Sequence, residues 1–192
     1  MRDTPTARPP ALDAILADTE ALGFAMACEE RTGALLAALA SSKPGGRLLE
    51  LGTGTGAGTS WLLHGMTPDA RLLTIDEDPG VRSVAETHLG HDRRVRFVTA
   101  DADTWLDTPD PGPYALAYAD CPPGKFTRLD DVLRLLEPGG LYVVDDLLPQ
   151  PSWPPGHQSA VDAFLTQVTH HPHLHPLRLT WSTGLLIATH TP

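Results

Sequence analysis

Acidic residues recur in this chain at the points where short apolar runs end: Asp76 and Glu77, Asp101, Asp120, and the pair Asp145 and Asp146. Each alone is an ordinary turn residue or helix cap, because a short carboxylate accepts hydrogen bonds from nearby backbone amides. Their repetition after successive runs points to one shared site, since ligands of an open parallel sheet bind beyond the carboxyl ends of its strands. Carboxylates in such a place can grip hydroxyls, hold a hard cation, or take a proton from a nucleophile. The first run ends differently. Residues 48–60 read LLELGTGTGAGTS, two leucines and an acid leading into glycines at 52, 54, 56 and 58 and then a helix-like segment. A buried strand, a glycine turn and a helix N-terminus in that order let a nucleotide-like ligand approach the backbone where a Cβ would collide.

Gly52, Gly54 and Ala57 satisfy the dinucleotide pattern GxGxxG/A, with Asp76 at about the expected distance beyond them. Glu50 argues for another guest. An acid just before the first glycine repels a pyrophosphate and favours a cationic amino-acid moiety, and S-adenosylmethionine carries an ammonium, a sulfonium and no phosphate. The backbone of Gly52, Thr53, Gly54, Gly56 and Gly58 would line either ligand. An NAD(P)-dependent oxidoreductase therefore stays open on the glycines, as does a cofactor-binding module without catalysis.

The elements that must position these groups fit one domain. At 192 residues the chain is long enough for a single α/β domain with a sizeable core and too short for a dinucleotide domain plus a separate catalytic one. A formal net charge of −10 with 14 scattered basic residues argues against nucleic-acid binding. The two cysteines, Cys28 and Cys121, make no CxxC, and no apolar run is long enough to span a bilayer. A cytoplasmic protein without membrane contact is expected. Residues 1–10, rich in proline and polar side chains, read as a flexible arm, and residues 11–192 as the domain.

Helical periodicity covers residues 11–40, broken around Gly23 and near Cys28, so that these helices flank the sheet. Strands are expected at 48–51, 72–75, 95–99, 114–119 and 141–144, with helices at 59–65, 84–89 and 127–136 between them. A proline-rich loop at 150–157 precedes a helix at 159–169. Strands at 174–181 and 185–190, joined by Ser182, Thr183 and Gly184, close the chain as a hairpin.

With these motifs in place, the chain resembles the class I S-adenosylmethionine-dependent methyltransferases, and within them the cation-dependent O-methyltransferases of the catechol and caffeoyl-CoA type. Met26, Cys28, Gly33 and Leu36 stand as in the family's opening segment. LeuGluLeuGlyThrGlyThrGly is its first signature, and GluProGlyGly at 137–140 with a closing hairpin is equally typical. The resemblance implies a Rossmann-like α/β fold, a mostly parallel seven-stranded sheet with helices on both faces. It implies Asp76, with Glu77 beside it, on the ribose hydroxyls. Asp101 and the Ala102 amide fall on the adenine, and Glu50 and Cys28 near the methionine end. Asp120, Asp145 and Asp146 fall on the family's ligands for Mg2+ or Ca2+, an ion that lowers the pKa of vicinal hydroxyls on a small-molecule acceptor.

Two departures stand out. Asp146 occupies a place where the family generally has Asn, and AspCysProProGly at 120–124 puts Pro123 where a catalytic Lys is frequent, with Lys125 two residues later. Without a metal, like charges raise a carboxylate pKa and make Asp120 a candidate base, alongside Lys125 and His157. His170, His171, His173 and His175 lack zinc-site spacing and read as a polar helix end entering a strand. Trp153 is a candidate to stack on an aromatic acceptor, whereas Trp61 and Trp181 read as core. A homodimer is compatible with all of this, and the sequence does not decide it.

Overall fold

The computed structural model describes residue 5, residues 7–150 and residues 153–191. The arm expected over 1–10 lies partly outside these residues, as do positions 151 and 152 of the proline-rich loop. Within them, Arg8 pairs with Asp13 and Glu30, each at 2.7 Å.

Two helices, α1 (Leu12–Leu22) and α2 (Glu30–Ser41), precede the sheet. The alternating part runs β1 (Arg47–Leu51), α3 (Ala57–Gly65), β2 (Arg71–Asp76), α4 (Pro79–Leu89), β3 (Val95–Thr99), α5 (Ala102–Trp105), β4 (Tyr114–Ala119), α6 (Leu129–Leu135) and β5 (Leu136–Val144). The chain ends with α7 (His157–Thr169), β6 (Leu174–Leu179) and β7 (Leu185–His190). All seven strands form one sheet in the order β3-β2-β1-β4-β5-β7-β6. The first five are parallel, and β7 runs antiparallel to both β5 and β6. This is the Rossmann-like, mostly parallel sheet with a C-terminal hairpin that was expected.

Every residue of β4 is buried, as are Leu48 to Leu51 of β1, because helices cover both faces of these central strands. The order in which strands are added reverses between β1 and β4, so the crevice beyond their carboxyl ends is the topological switch point where ligands bind in such sheets. Gly33 lets α2 pack closely on α3, since a Cβ there would stand 2.1 Å from the Trp61 ring.

Beyond shifts of about two residues at several ends, two boundaries and one added helix differ from expectation for local reasons. α4 begins at Pro79 rather than near residue 84, because Asp78 caps it by accepting from the amides of Gly80 and Val81. The GluProGlyGly segment lies inside β5 instead of ahead of it. There the register with β4 jumps from Tyr114 beside Leu136 to Leu116 beside Leu141, and the segment is the irregularity that absorbs the jump. The one-turn helix α5 was not expected. Asp101 caps it through the Thr104 amide at 2.8 Å.

Candidate active site

Parallel pairing sets Glu50 of β1 beside Thr74 of β2. Glu50 is fully buried, and its Oε2 accepts from the hydroxyls of Thr59 at 2.5 Å and Thr74 at 2.6 Å. Its Oε1 is buried with no partner. Burial pushes the carboxyl up to about 7, Asp76 adding to the rise while the two threonine hydroxyls oppose it. Glycine at 58 leaves room beside Oε1, because a Cβ there would stand 2.8 Å from it. Gly52, at φ 97°, turns the chain under the ligand space where a Cβ would meet the Asp120 carbonyl oxygen at 2.9 Å.

Glu50 lines a cavity of about 660 Å³ that also touches Cys28, Asp76, Asp101 and Asp120. Asp76 Oδ2 accepts from the Gly54 amide at 2.7 Å and Oδ1 from the Asp78 amide at 3.0 Å, so the acid also ties down the glycine turn. A carboxylate offers about four lone-pair sites, which leaves capacity for a ligand. Glu77 and Ala102 line the same space. Asp101 is at once a helix cap and a cavity residue. The Cys28 thiol, pushed well up by burial, donates weakly to the Glu29 carbonyl at 3.6 Å. This donor set fits S-adenosylmethionine: an unsatisfied buried acceptor for an ammonium, acids for ribose and adenine, and a glycine cradle.

The other candidates separate. Asp120 reaches the cavity from the end of β4, and burial together with Asp145 and Asp146 pushes its carboxyl well above the usual range, Lys125 and the Tyr118 hydroxyl pulling back. Asp145 is buried and turned elsewhere: its Oδ1 accepts from the Thr183 hydroxyl and from the Asp146 amide, the latter at 2.7 Å. Burial pushes it up to about 6. Asp146 sits at φ 57°, a left-handed conformation that among side-chain-bearing residues Asn and Asp adopt most readily. Lys125 is buried behind the cavity wall, its Nζ donating to the backbone carbonyls of Asp145 at 2.6 Å and Asp146 at 3.4 Å. His157 is wedged between Trp153 and Phe126, ring centroids 4.3 and 5.1 Å away. Lys125, Asp145, Asp146, Trp153 and His157 are not among the residues lining the cavity. Among the described residues, no group of three His, Cys, Asp or Glu side chains could hold a metal ion. As arranged, Asp145 spends Oδ1 on Thr183 and the Asp146 amide, and the three aspartates are not gathered into one three-carboxylate group.

Residues 49–147 match the family described as Methyltransferase domain. The chain belongs to this methyltransferase family. It is 32% identical over 144 residues to the catechol O-methyltransferase of Mycobacterium tuberculosis, an overlap covering 72% of this chain and 66% of that one. A curated relative from Mycobacterium avium is 35% identical over 118 residues, 58% of this chain and 53% of its own length. The chain thus matches between about half and two thirds of the length of these relatives. Among solved structures, cofactor-bound Rv0187 from MTB superposes with a TM-score of 0.84 at 28% identity, covering 94% of this chain and 89% of that one. The O-methyltransferase TomG from Streptomyces achromogenes, in complex with SAM, gives 0.84 at 24% identity over 97% and 92%, a likeness of fold.

In this methyltransferase, the threonines that hold the acids in place were missed in the sequence, yet one signal was there to read. Glu50 and Thr74 are polar residues at matching depths of the two apolar runs LLEL and LLTI, and parallel pairing makes them neighbours. Thr183, far along the chain from Asp145, offers no such signal.

Two expectations follow for the protein. Asp76→Ala should weaken S-adenosylhomocysteine binding by about 1 to 3 kcal/mol, the range for hydrogen bonds to a charged group. The variant should lose wild type's preference over the 2′-deoxy analogue in calorimetry; an undiminished preference would put the ribose contact elsewhere. The second concerns pH. Glu50 and Asp145 titrate higher folded than unfolded, so their contribution is full below the unfolded carboxylate range and is lost as pH rises through about 6 and about 7. Without cofactor, unfolding free energy should fall by about 4 kcal/mol between pH 5 and pH 8. Denaturant titrations giving equal or greater stability at pH 8 would contradict this.

Proposed function

We propose that the chain is an S-adenosylmethionine-dependent O-methyltransferase acting on a hydroxyl of a small molecule. The observation that carries the reading is Glu50, a residue lining the glycine-turn cavity whose buried Oε1 has no partner. A carboxylate there suits an ammonium and opposes a pyrophosphate, which weighs against a dinucleotide. The bound cofactor supplies a methyl group on a sulfonium, open to in-line displacement by an acceptor oxygen.

Each side chain then has a task. Glu50 faces the ammonium, Asp76 and Glu77 take the ribose hydroxyls, and Asp101 with the Ala102 amide takes the adenine edge. Asp120, the candidate acid on the cavity wall nearest Lys125 in sequence, accepts the acceptor's hydroxyl proton. Its raised pKa means that it must first be ionised, and the sulfonium and ammonium of a bound cofactor would favour that ionisation. Phe24 and Met26, the latter exposed, supply apolar surface to the cavity and suit an aromatic ring. The catechol O-methyltransferase relative supports a catechol-like acceptor. Two unpaired cysteines support a reducing compartment such as the cytoplasm, and among the described residues no helix is long and apolar enough to cross a membrane.

The test is transfer of labelled methyl from S-adenosylmethionine to a panel of catechols, monophenols and aliphatic alcohols. Label should appear on catechols first. Cofactor product binding without transfer to any acceptor would favour a module that binds the cofactor without catalysis.

A further inference from the structure

The ends of β4 and β5 bring Asp120, Asp145 and Asp146 toward one another, an arrangement that calls for a positive charge. In this chain a side chain answers that call. The loop after β4 folds back on itself, with the Gly124 amide donating to the Thr127 carbonyl at 2.7 Å, the Lys125 amide to the Pro122 carbonyl at 3.2 Å, and the Tyr142 hydroxyl closing on the Gly124 carbonyl. Gly124 takes φ 85°, and a Cβ there would stand 2.7 Å from Leu51 Cδ1. This fold turns Lys125 inward until the residue is only 4% exposed.

Its Nζ bonds to two carbonyl oxygens, those of Asp145 and Asp146. Hard oxygens of this kind are what a divalent cation would also seek. A lysine is almost never buried to this degree unless it is paired; burial lowers the pKa of its ammonium, and the charges of Asp120, Asp146 and Asp145 oppose that shift. Asp145, meanwhile, spends its Oδ1 on Thr183 and the Asp146 amide. Lys125 thus stands two residues after Pro123 and does not line the cavity, although Pro123 does.

We infer that Lys125 is a resident cation standing in for a divalent ion: its ammonium holds the end of β5 and offsets the three aspartates, so that the site is assembled without metal. Lys125 is a positioning residue in this account. Its consequence for Asp120 and the acceptor rests on the methyltransferase reading; its consequence for metal binding does not.

The experiment is a Mn2+ titration of wild type and Lys125→Ala followed by electron paramagnetic resonance. Thermal denaturation with and without Mn2+ accompanies it, as does calorimetry of S-adenosylhomocysteine in excess chelator. Wild type should take up no stoichiometric Mn2+, keep its melting temperature on adding Mn2+ or chelator, and bind the ligand equally well in chelator. Lys125→Ala should melt lower and recover part of the loss with Mn2+, because the added charge replaces the missing ammonium. A lysine that merely filled space would give a variant indifferent to the ion, and that result overturns the inference. One Mn2+ held per wild-type chain overturns it as well, and decides the matter even if the variant does not fold. Failure of wild type to bind S-adenosylhomocysteine would remove the methyltransferase reading and leave the Mn2+ result standing.

Discussion

Glu50→Gln should weaken S-adenosylhomocysteine binding by about 3 to 5 kcal/mol, the cost of removing one partner from a buried charge pair. The same change should make the empty protein more stable above pH 7. Wild type must bury a carboxylate there with one oxygen unpartnered, and burial has already pushed its pKa up to about 7. The amide removes that burden while filling the same space. Two effects of opposite sign separate a ligand-facing charge from a structural one, since losing a purely structural contact would cost stability and affinity together. Calorimetry and denaturant titration of one variant read both. Unchanged affinity in the folded variant would place the ammonium elsewhere.

Asp120→Asn should lower kcat by a factor of about 10² to 10⁴, the usual range for a general base, with cofactor-product affinity changed far less. Among the three residues considered as bases, Asp120 alone lines the cavity, whereas Lys125 and His157 stand off it. Because the base must be ionised and its pKa is raised, wild-type kcat should climb with pH along an acidic limb that the variant lacks. A loss smaller than tenfold, or an unaltered pH profile, would assign the proton to another group.

The central fold was open to reading because its strands are continuous apolar runs between glycine, proline and acidic punctuation. YALAYA at 114–119 is buried at every residue, and a strand buried on both faces has to be apolar throughout. Elements whose signals are short or distant were harder. α5 is one turn long, and its cap, Asp101, was already spoken for as a ligand contact. The start of α4 was legible in principle, since Asp78 followed by Pro79 is a cap and a first-turn proline.

The site divides along the same line. Glu50, Asp76, Asp101 and Asp120 were readable because each stands at a fixed offset from a strand that the pattern itself locates. Asp145 was not. Its environment is set by Thr183 in the closing hairpin and by a lysine that reaches it only through the turn at 122–127. Asp146 shows how a departure from a family pattern carries a backbone reason, because its left-handed conformation accepts Asp nearly as readily as Asn.

The most direct test is calorimetry of S-adenosylhomocysteine and of NAD at pH 6 in buffers of different ionisation enthalpy. Below about pH 7 the empty protein holds a proton on Glu50, and seating an ammonium beside it should expel that proton. S-adenosylhomocysteine should therefore bind with release of approaching one proton, more weakly as pH falls, while NAD gives no binding heat. Binding of NAD without the sulfur ligand, or binding of the sulfur ligand with no proton released, would contradict the account.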